Sequence, residues 1–234
     1  MLLIAHRGAS GYAPENTMAS FRLALEMGAK AVELDVHQTK DQELVVIHDE
    51  DLKRVGRRKG RIKDLTFAEL NAVDVGSWFD PCFNNERIPT LSEVFDLTLG
   101  KAELHVELKR GSKWYPGIEE RVLKMIRQRG ALETTLVSSF DHAALFTTRA
   151  LDAEVRLGYL LGLTGMKKAY REMGELKAES LNLSARQIDA KRVRECGERK
   201  LRTLVYTVNT RKELARLDRL GVDGVFTNFP ELTI

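Results

Sequence analysis

The feature that most limits the fold of this chain is an alternation of two periodicities. Short aliphatic and β-branched runs predict strands at 2–6, 31–36, 103–108, 135–138, 155–160, 179–183, 202–207 and 222–227. Amphipathic stretches between them predict helices at 17–28, 91–99, 117–129, 141–150, 165–174, 189–199 and 211–220. Such alternation implies a parallel sheet with right-handed crossovers. Eight strands suit closure into a (β/α)8 TIM barrel, and 234 residues fit one such α/β domain, 1–234, better than two. Too few residues follow the last strand for a full eighth helix.

The rhythm breaks once. Residues 37–102 are far longer than a helical crossover of about 10–15 residues. A short extra strand is expected at 43–48 and a short helix at 66–72. A basic run holds Lys53, Arg54, Arg57, Arg58, Lys59, Arg61 and Lys63. We read 50–88 as a small insertion after the second strand, on the strand-end face of the barrel. Its basic run reads as a solvated loop, or as a rim that attracts anions.

Composition excludes several classes. A net charge of +3 is too small for a nucleic-acid reader, which needs a concentrated basic face. No apolar run reaches the roughly 18 residues of a membrane span. The apolar start, Met1 to Ala5, runs directly into His6 without a charged leader, so it reads as a strand and not a signal peptide. Cys82 and Cys196 have no paired spacing and read as reduced thiols, which suits a cytoplasmic setting.

The chemistry concentrates in strands two and three. In Ala31-Val32-Glu33-Leu34-Asp35-Val36 the apolar residues share one face and the two acids share the other. If the apolar face packs on helices, Glu33 and Asp35 point inward at the barrel mouth, where barrel active sites lie. Carboxylates about 6.6 Å apart along a strand repel each other unless a cation lies between them. Strand three repeats the pattern, with Glu103, His105, Glu107 and Lys109 inward. Adjacent strands then bring Glu107 to the acidic pair and Lys109 above it, with Glu103 deeper and structural. An all-oxygen set favours Mg²⁺ or Ca²⁺.

His6 ends strand one and His48 ends the extra strand, so both reach the mouth. Phosphodiester cleavage needs one group to take a proton and another to return one, and histidine suits both roles. Asp49 orients His48 or caps the following turn. Arg7 offers a bidentate fork to phosphate, or pairs with Glu33 or Glu107. Asn16 or Thr17 caps the first helix. Glu15 and Asn16 either support the metal site or serve only the helix start. His37 is expected to face out, His105 to be a core residue in preference to a floor of the site, and His142 to start a helix.

With these residues in place, the chain resembles the glycerophosphodiester phosphodiesterase family. The shared elements are His6-Arg7-Gly8, Pro14-Glu15-Asn16-Thr17, Glu33-Leu34-Asp35-Val36, Thr39-Lys40-Asp41, Val45-Val46-Ile47-His48-Asp49, Ile88-Pro89-Thr90-Leu91, Glu107-Leu108-Lys109, Ser139-Phe140, Tyr206-Thr207-Val208-Asn209, and the run from Gly221 to Pro230. They span almost the whole chain in family order. The resemblance implies a TIM barrel with a small insertion. It implies a divalent metal at Glu33, Asp35 and Glu107, acid–base chemistry at His6 and His48, and phosphate contacts from Arg7 and Lys109. The implied substrate is a small-molecule glycerophosphodiester, cleaved to glycerol 3-phosphate and an alcohol by water or by the neighbouring glycerol hydroxyl. The alternative is a phospholipase D-like action on lysophospholipids, which would need an apolar rim. Three positions depart from the family pattern: Tyr206 replaces the common tryptophan, Asn228 the common aspartate, and His105 the common asparagine. None of the three is expected to touch the metal or acid–base set.

Overall fold

Side chains alternate across each strand, so every strand divides its residues between a helix-facing side and the barrel interior. The computed structural model describes residues 1–233. In chain order its elements are Leu2–His6 (β1), Met18–Glu26 (α1), Ala31–Gln38 (β2), Leu44–Val46 (β3), Phe67–Asn71 (α2), Leu91–Thr98 (α3), Glu103–Leu108 (β4), Ile118–Gln128 (α4), Thr135–Ser139 (β5), His142–Leu151 (α5), Arg156–Leu160 (β6), Met166–Leu176 (α6), Ser180–Ser184 (β7), Ala190–Glu198 (α7), Arg202–Tyr206 (β8), Arg211–Leu220 (α8) and Gly224–Thr227 (β9). Eight parallel strands, β1, β2 and β4 to β9, close into a TIM barrel through pairings of β1 with both β2 and β9. Seven helices of the barrel, α1 and α3 to α8, follow the expected positions, with none after β9 among the described residues.

Val32, Leu34 and Val36 of β2 join Val106 and Leu108 of β4 in the large apolar layer under the helices, with Phe21, Leu91 and Phe95. A smaller cluster of Ile4, Ala31, Leu204 and Phe226 fills the barrel itself. Register then decides which polar residues meet. Glu33 of β2 lies opposite His6 of β1 on one side and His105 of β4 on the other, and Asp35 lies opposite Glu107.

Helix starts follow local chemistry. Thr17, not Asn16, is the N-cap of α1, closing a capping box with Ser20. Thr66 and Thr90 do the same for α2 and α3 with Glu69 and Glu93.

The long connection after β2 has a core of its own. β3 turns back antiparallel to β2, pairing Val46 with Val36. Beyond it, Val45, Ile47, Leu52, Val55, Ile62, Leu70, Val73, Val75 and Ile88 pack together. Gly76 is required there, because a Cβ at that position would lie 1.9 Å from the Phe83 carbonyl oxygen. The Ile47 amide donates to the Asp35 carbonyl at 3.0 Å, which delivers His48 beside the acidic strand.

Candidate active site

Three carboxylates that the alternation places on one face converge in space. Ligand atoms of Glu33, Asp35 and Glu107 all lie within 4.8 Å of one another, and all three residues are buried. Glu33 and Glu107 line a cavity of about 230 Å³ together with His6, Arg7, His48, Lys109 and Tyr206. Asp35 itself is fully buried.

Electrostatics show that the cluster is short of positive charge. Burial raises the Glu33 carboxyl well above its usual range, and Asp35 and Glu107 push it further. Burial also drives Glu107 up to about 7, despite Lys109 alongside. For Asp35 burial works in the same direction, but Lys109 and Arg7 outweigh it and hold the carboxyl below its usual range. Lys109 Nζ lies 2.8 Å from Glu107 and 3.2 Å from Asp35 Oδ1. Asp35 Oδ1 nonetheless has no aligned hydrogen-bond donor. A buried, unsatisfied carboxylate oxygen beside two acids whose charged forms are disfavoured by burial and mutual repulsion fits a cation site. The donor set is all oxygen, so a hard divalent ion matches it.

Arg7 is held in place by several contacts. Its backbone is left-handed, with φ 57°, a conformation that costs a non-glycine residue roughly 1–2 kcal/mol. Gly8 follows at φ +81°, and a Cβ there would lie 2.5 Å from Ser20 Oγ. The Arg7 amide donates to Glu33 at 3.1 Å. Its side chain does not pair with Glu33 or Glu107 as the sequence suggested. Nη1 instead bonds Glu15 at 2.9 Å, and Nε approaches Asp35 Oδ2 at 3.1 Å. Asn16 Nδ2 donates to the same Asp35 oxygen at 2.8 Å. Glu15 and Asn16 therefore both adjoin the acidic cluster, through Arg7 and Asp35 respectively.

The two candidate histidines are held differently. His48 Nδ1 donates to Asp49 Oδ1 at 2.7 Å. His6 Nδ1 donates to Asn228 Oδ1 at 2.8 Å. The expectation that residue 228 stands clear of the acid–base set is thus corrected. Asn228 follows β9, which pairs with β1, so the first and last strands bring it to His6. Burial, with Arg7 adding to it, lowers His6 to about 4, and burial lowers His48 as well. Both rings lose basicity, and in each the Nε2 atom is the nitrogen left free of these contacts.

Two more histidines are buried, His37 against expectation and His105 in keeping with it. His37 does not face out: it is 2 % exposed, bonds Tyr115 at 2.7 Å through Nδ1 and reaches the His48 carbonyl at 3.1 Å through Nε2. The chain after β4 covers that side of β2, and no local pattern announces it. His105 is buried edge-on to Phe226, with ring centroids 5.8 Å apart.

Arg54, which the sequence shows only as one cation of a basic run, reaches two residues beside the site. Its Nη1 and Nη2 both bond Glu15 at 2.8 Å, and its Nε bonds Asp49 at 2.7 Å. Phe140, Leu160 and Phe226 complete an apolar wall of the cavity with Tyr206.

Comparison with known proteins identifies the family. The model of the glycerophosphoryl diester phosphodiesterase family matches residues 6–232. A glycerophosphodiester phosphodiesterase of Caldanaerobacter subterraneus is 39% identical over 234 residues, covering 100% of this chain and 96% of that one. One from Bacillus altitudinis is 35% identical over 99% of this chain and 96% of its own length. Among solved structures, a phosphodiesterase of Oleispira antarctica in complex with the product sn-glycerol-3-phosphate superposes with a TM-score of 0.92 at 32% identity, covering 99% of this chain and 94% of that one. A glycerophosphodiester phosphodiesterase of Agrobacterium tumefaciens gives a TM-score of 0.86 at 26% identity over 99% and 97%. Fold and near-complete coverage agree, and the chain belongs to the glycerophosphoryl diester phosphodiesterase family.

Proposed function

We propose that this enzyme hydrolyses small glycerophosphodiesters to glycerol 3-phosphate and an alcohol, with a divalent cation, Mg²⁺ or Ca²⁺, held by Glu33, Asp35 and Glu107. The observation that carries the reading is the meeting of those three carboxylates, within 4.8 Å of one another, at a cavity that Glu33 and Glu107 line with two histidines, an arginine and a lysine. When bound, the ion supplies charge stabilisation for the phosphoryl oxygens.

The chain's own residues do the rest. Arg7 and Lys109 bind the phosphoryl oxygens, each already anchored on a carboxylate that fixes its direction. One of His6 and His48 takes the proton from the nucleophile at its free Nε2, and the other returns one to the departing oxygen. Their partners set the two rings apart. Asp49 stabilises an imidazolium on His48, whereas Asn228 offers His6 only a neutral acceptor. Glu15 and Asn16 orient Arg7 and Asp35. Tyr206 forms part of the wall.

We read the chain as one catalytic domain, 1–234, in which 50–88 is an insertion that carries its own small core. Among the described residues no helix is long and apolar enough to cross a membrane. Free Cys82 and Cys196 are compatible with a cytoplasmic setting. The test is release of glycerol 3-phosphate from glycerophosphocholine with and without EDTA. Turnover that depends on an added divalent ion is expected, and no turnover with any divalent ion defeats the reading.

A further inference from the structure

The basic run at 53–63 contains seven cations, but one of them stands apart. Arg54 sends its whole guanidinium into the site's surroundings. Nη1 and Nη2 grip the two oxygens of Glu15 at 2.8 Å each, and Nε reaches Asp49 Oδ2 at 2.7 Å. Trp78 lies under the guanidinium, 5.7 Å from its carbon. Glu15 Oε1 also accepts from Arg7 Nη1 at 2.9 Å, and Asp49 Oδ1 accepts from His48 Nδ1 at 2.7 Å. A continuous chain of contacts therefore runs His48–Asp49–Arg54–Glu15–Arg7, with Arg54 at its centre. Arg57, Arg58 and Lys59, in the same run, make no ion pair among the described residues.

We propose that Arg54 is a positioning residue that sets two active-site groups at once, His48 through Asp49 and Arg7 through Glu15. The assignment rests on the hydrolytic reading of the pocket given above. The geometry explains why a guanidinium is needed. Only arginine presents parallel donors to one carboxylate and a further donor to a second. A lysine could satisfy one acid but not both. Asp49 held by Arg54 keeps an oxygen aimed at Nδ1 of His48, which fixes the ring's tautomer and leaves Nε2 free. Glu15 held by the fork gives Arg7 a rigid anchor. Because the two arms serve different groups, they predict different kinetic signatures. Loss of the Asp49 arm acts on proton transfer and lowers kcat. Loss of the Glu15 arm loosens the phosphate grip and raises KM.

The experiment compares wild type, Arg54→Gln, Arg54→Lys, Asp49→Asn and Glu15→Gln in steady-state hydrolysis of glycerophosphocholine with saturating divalent ion. Misplacing or releasing an orienting group costs about 10–100-fold. Arg54→Gln is expected to lose that in kcat/KM, with kcat down and KM up. Asp49→Asn should reproduce mainly the kcat loss, and Glu15→Gln mainly the KM rise. In the Asp49→Asn background, Arg54→Gln should then change KM alone. Arg54→Lys keeps the charge and the stem, so its loss separates the fork from general folding. Arg57→Gln and Arg58→Gln serve as controls for bulk charge and should match wild type. Nitrogen NMR of the His48 ring needs no turnover: the neutral ring should hold its proton on Nδ1 in wild type, with an Nε2–H population appearing in Arg54→Gln. Kinetic constants of Arg54→Gln within about twofold of wild type, equal losses in the control variants, or an unchanged His48 tautomer would each overturn the proposal. An inactive wild type would instead defeat the hydrolytic reading, and the NMR comparison would still decide what Arg54 does.

Discussion

Glu103 and Glu107 stand at opposite ends of β4, and their surroundings differ in kind. At the lower end Arg156 reaches Glu103 with Nη1, forks Glu179 through Nε and Nη2 at 2.7 Å each, and is joined there by Arg202 at 3.0 Å. Two guanidiniums meet two carboxylates. His105 and Arg156 hold the Glu103 carboxyl down at about 2. The His105 ring is 3.9 Å away, too far for a hydrogen bond, so the direct Arg156 contact is the firmer restraint. At the mouth three acids face only Arg7 and Lys109, and Glu107 rises to about 7. The same alternating strand thus carries charge that is balanced at one end and unbalanced at the other. Balanced charge supports the fold, whereas the imbalance leaves the mouth short of one cation. Stability is given up where binding is needed.

That contrast can be broken experimentally, and the largest effect belongs to the mouth. Glu107→Gln is expected to lower hydrolysis of glycerophosphocholine by about 10⁴-fold, the loss of several kcal/mol of charge stabilisation. Glu103→Gln should leave the rate close to wild type. Comparable losses in both would erase the distinction. His6→Ala and His48→Ala come next, each lowering kcat by about 10²–10⁴-fold. Normal turnover in either would remove that ring from the proton path.

Stability should order the two ends the other way. Glu103→Gln leaves Arg156 without one partner, a cost of about 1–3 kcal/mol, and each kcal/mol lowers Tm by roughly 2–4 °C in a chain of this size. Glu107→Gln measured without metal should not lower Tm at pH 8 and is expected to raise it, because it removes a poorly tolerated buried charge. A calorimetric scan of both variants in EDTA checks the pair.

The smallest and sharpest effect is in pH. Glu107 has a folded pKa above the unfolded carboxyl value, so the folded state binds the extra proton between about 4.5 and 7. Its contribution therefore grows as pH falls through that window and is lost as pH rises. Glu103 lies below the unfolded value, so its contribution is present above about 4.5 and is lost as pH falls toward 2. The Tm difference between Glu107→Gln and metal-free wild type should shrink on acidification from pH 8 to 5. That for Glu103→Gln should hold steady over the same range. Parallel curves would show that the two glutamates do not differ as described.

The sequence already displayed the features that rest on period and adjacency. Acids at 33 and 35 and at 107 share a strand face by alternation, and consecutive barrel strands are neighbours, so their meeting followed from position alone. The relations that escaped depend on long-range closure or on one member of a uniform run. Asn228 meets His6 across 222 residues of chain, because β9 pairs with β1. Arg54 has the same chemistry as its basic neighbours and differs only in where the turn after Asp51 aims it. His37 shares the parity of Glu33 and Asp35 but lies beyond the acidic pair, where the chain near Tyr115 covers it.

The seam between β1 and β9 has a consequence for biosynthesis. His6 is synthesised 222 residues before Asn228, and their contact forms only when the closing strand docks. A nascent chain holding all three clustered carboxylates would still lack the amide that bonds His6. Competence for turnover should therefore arrive late, as the final stave of the barrel is set, which makes activity a sensitive reporter of complete folding.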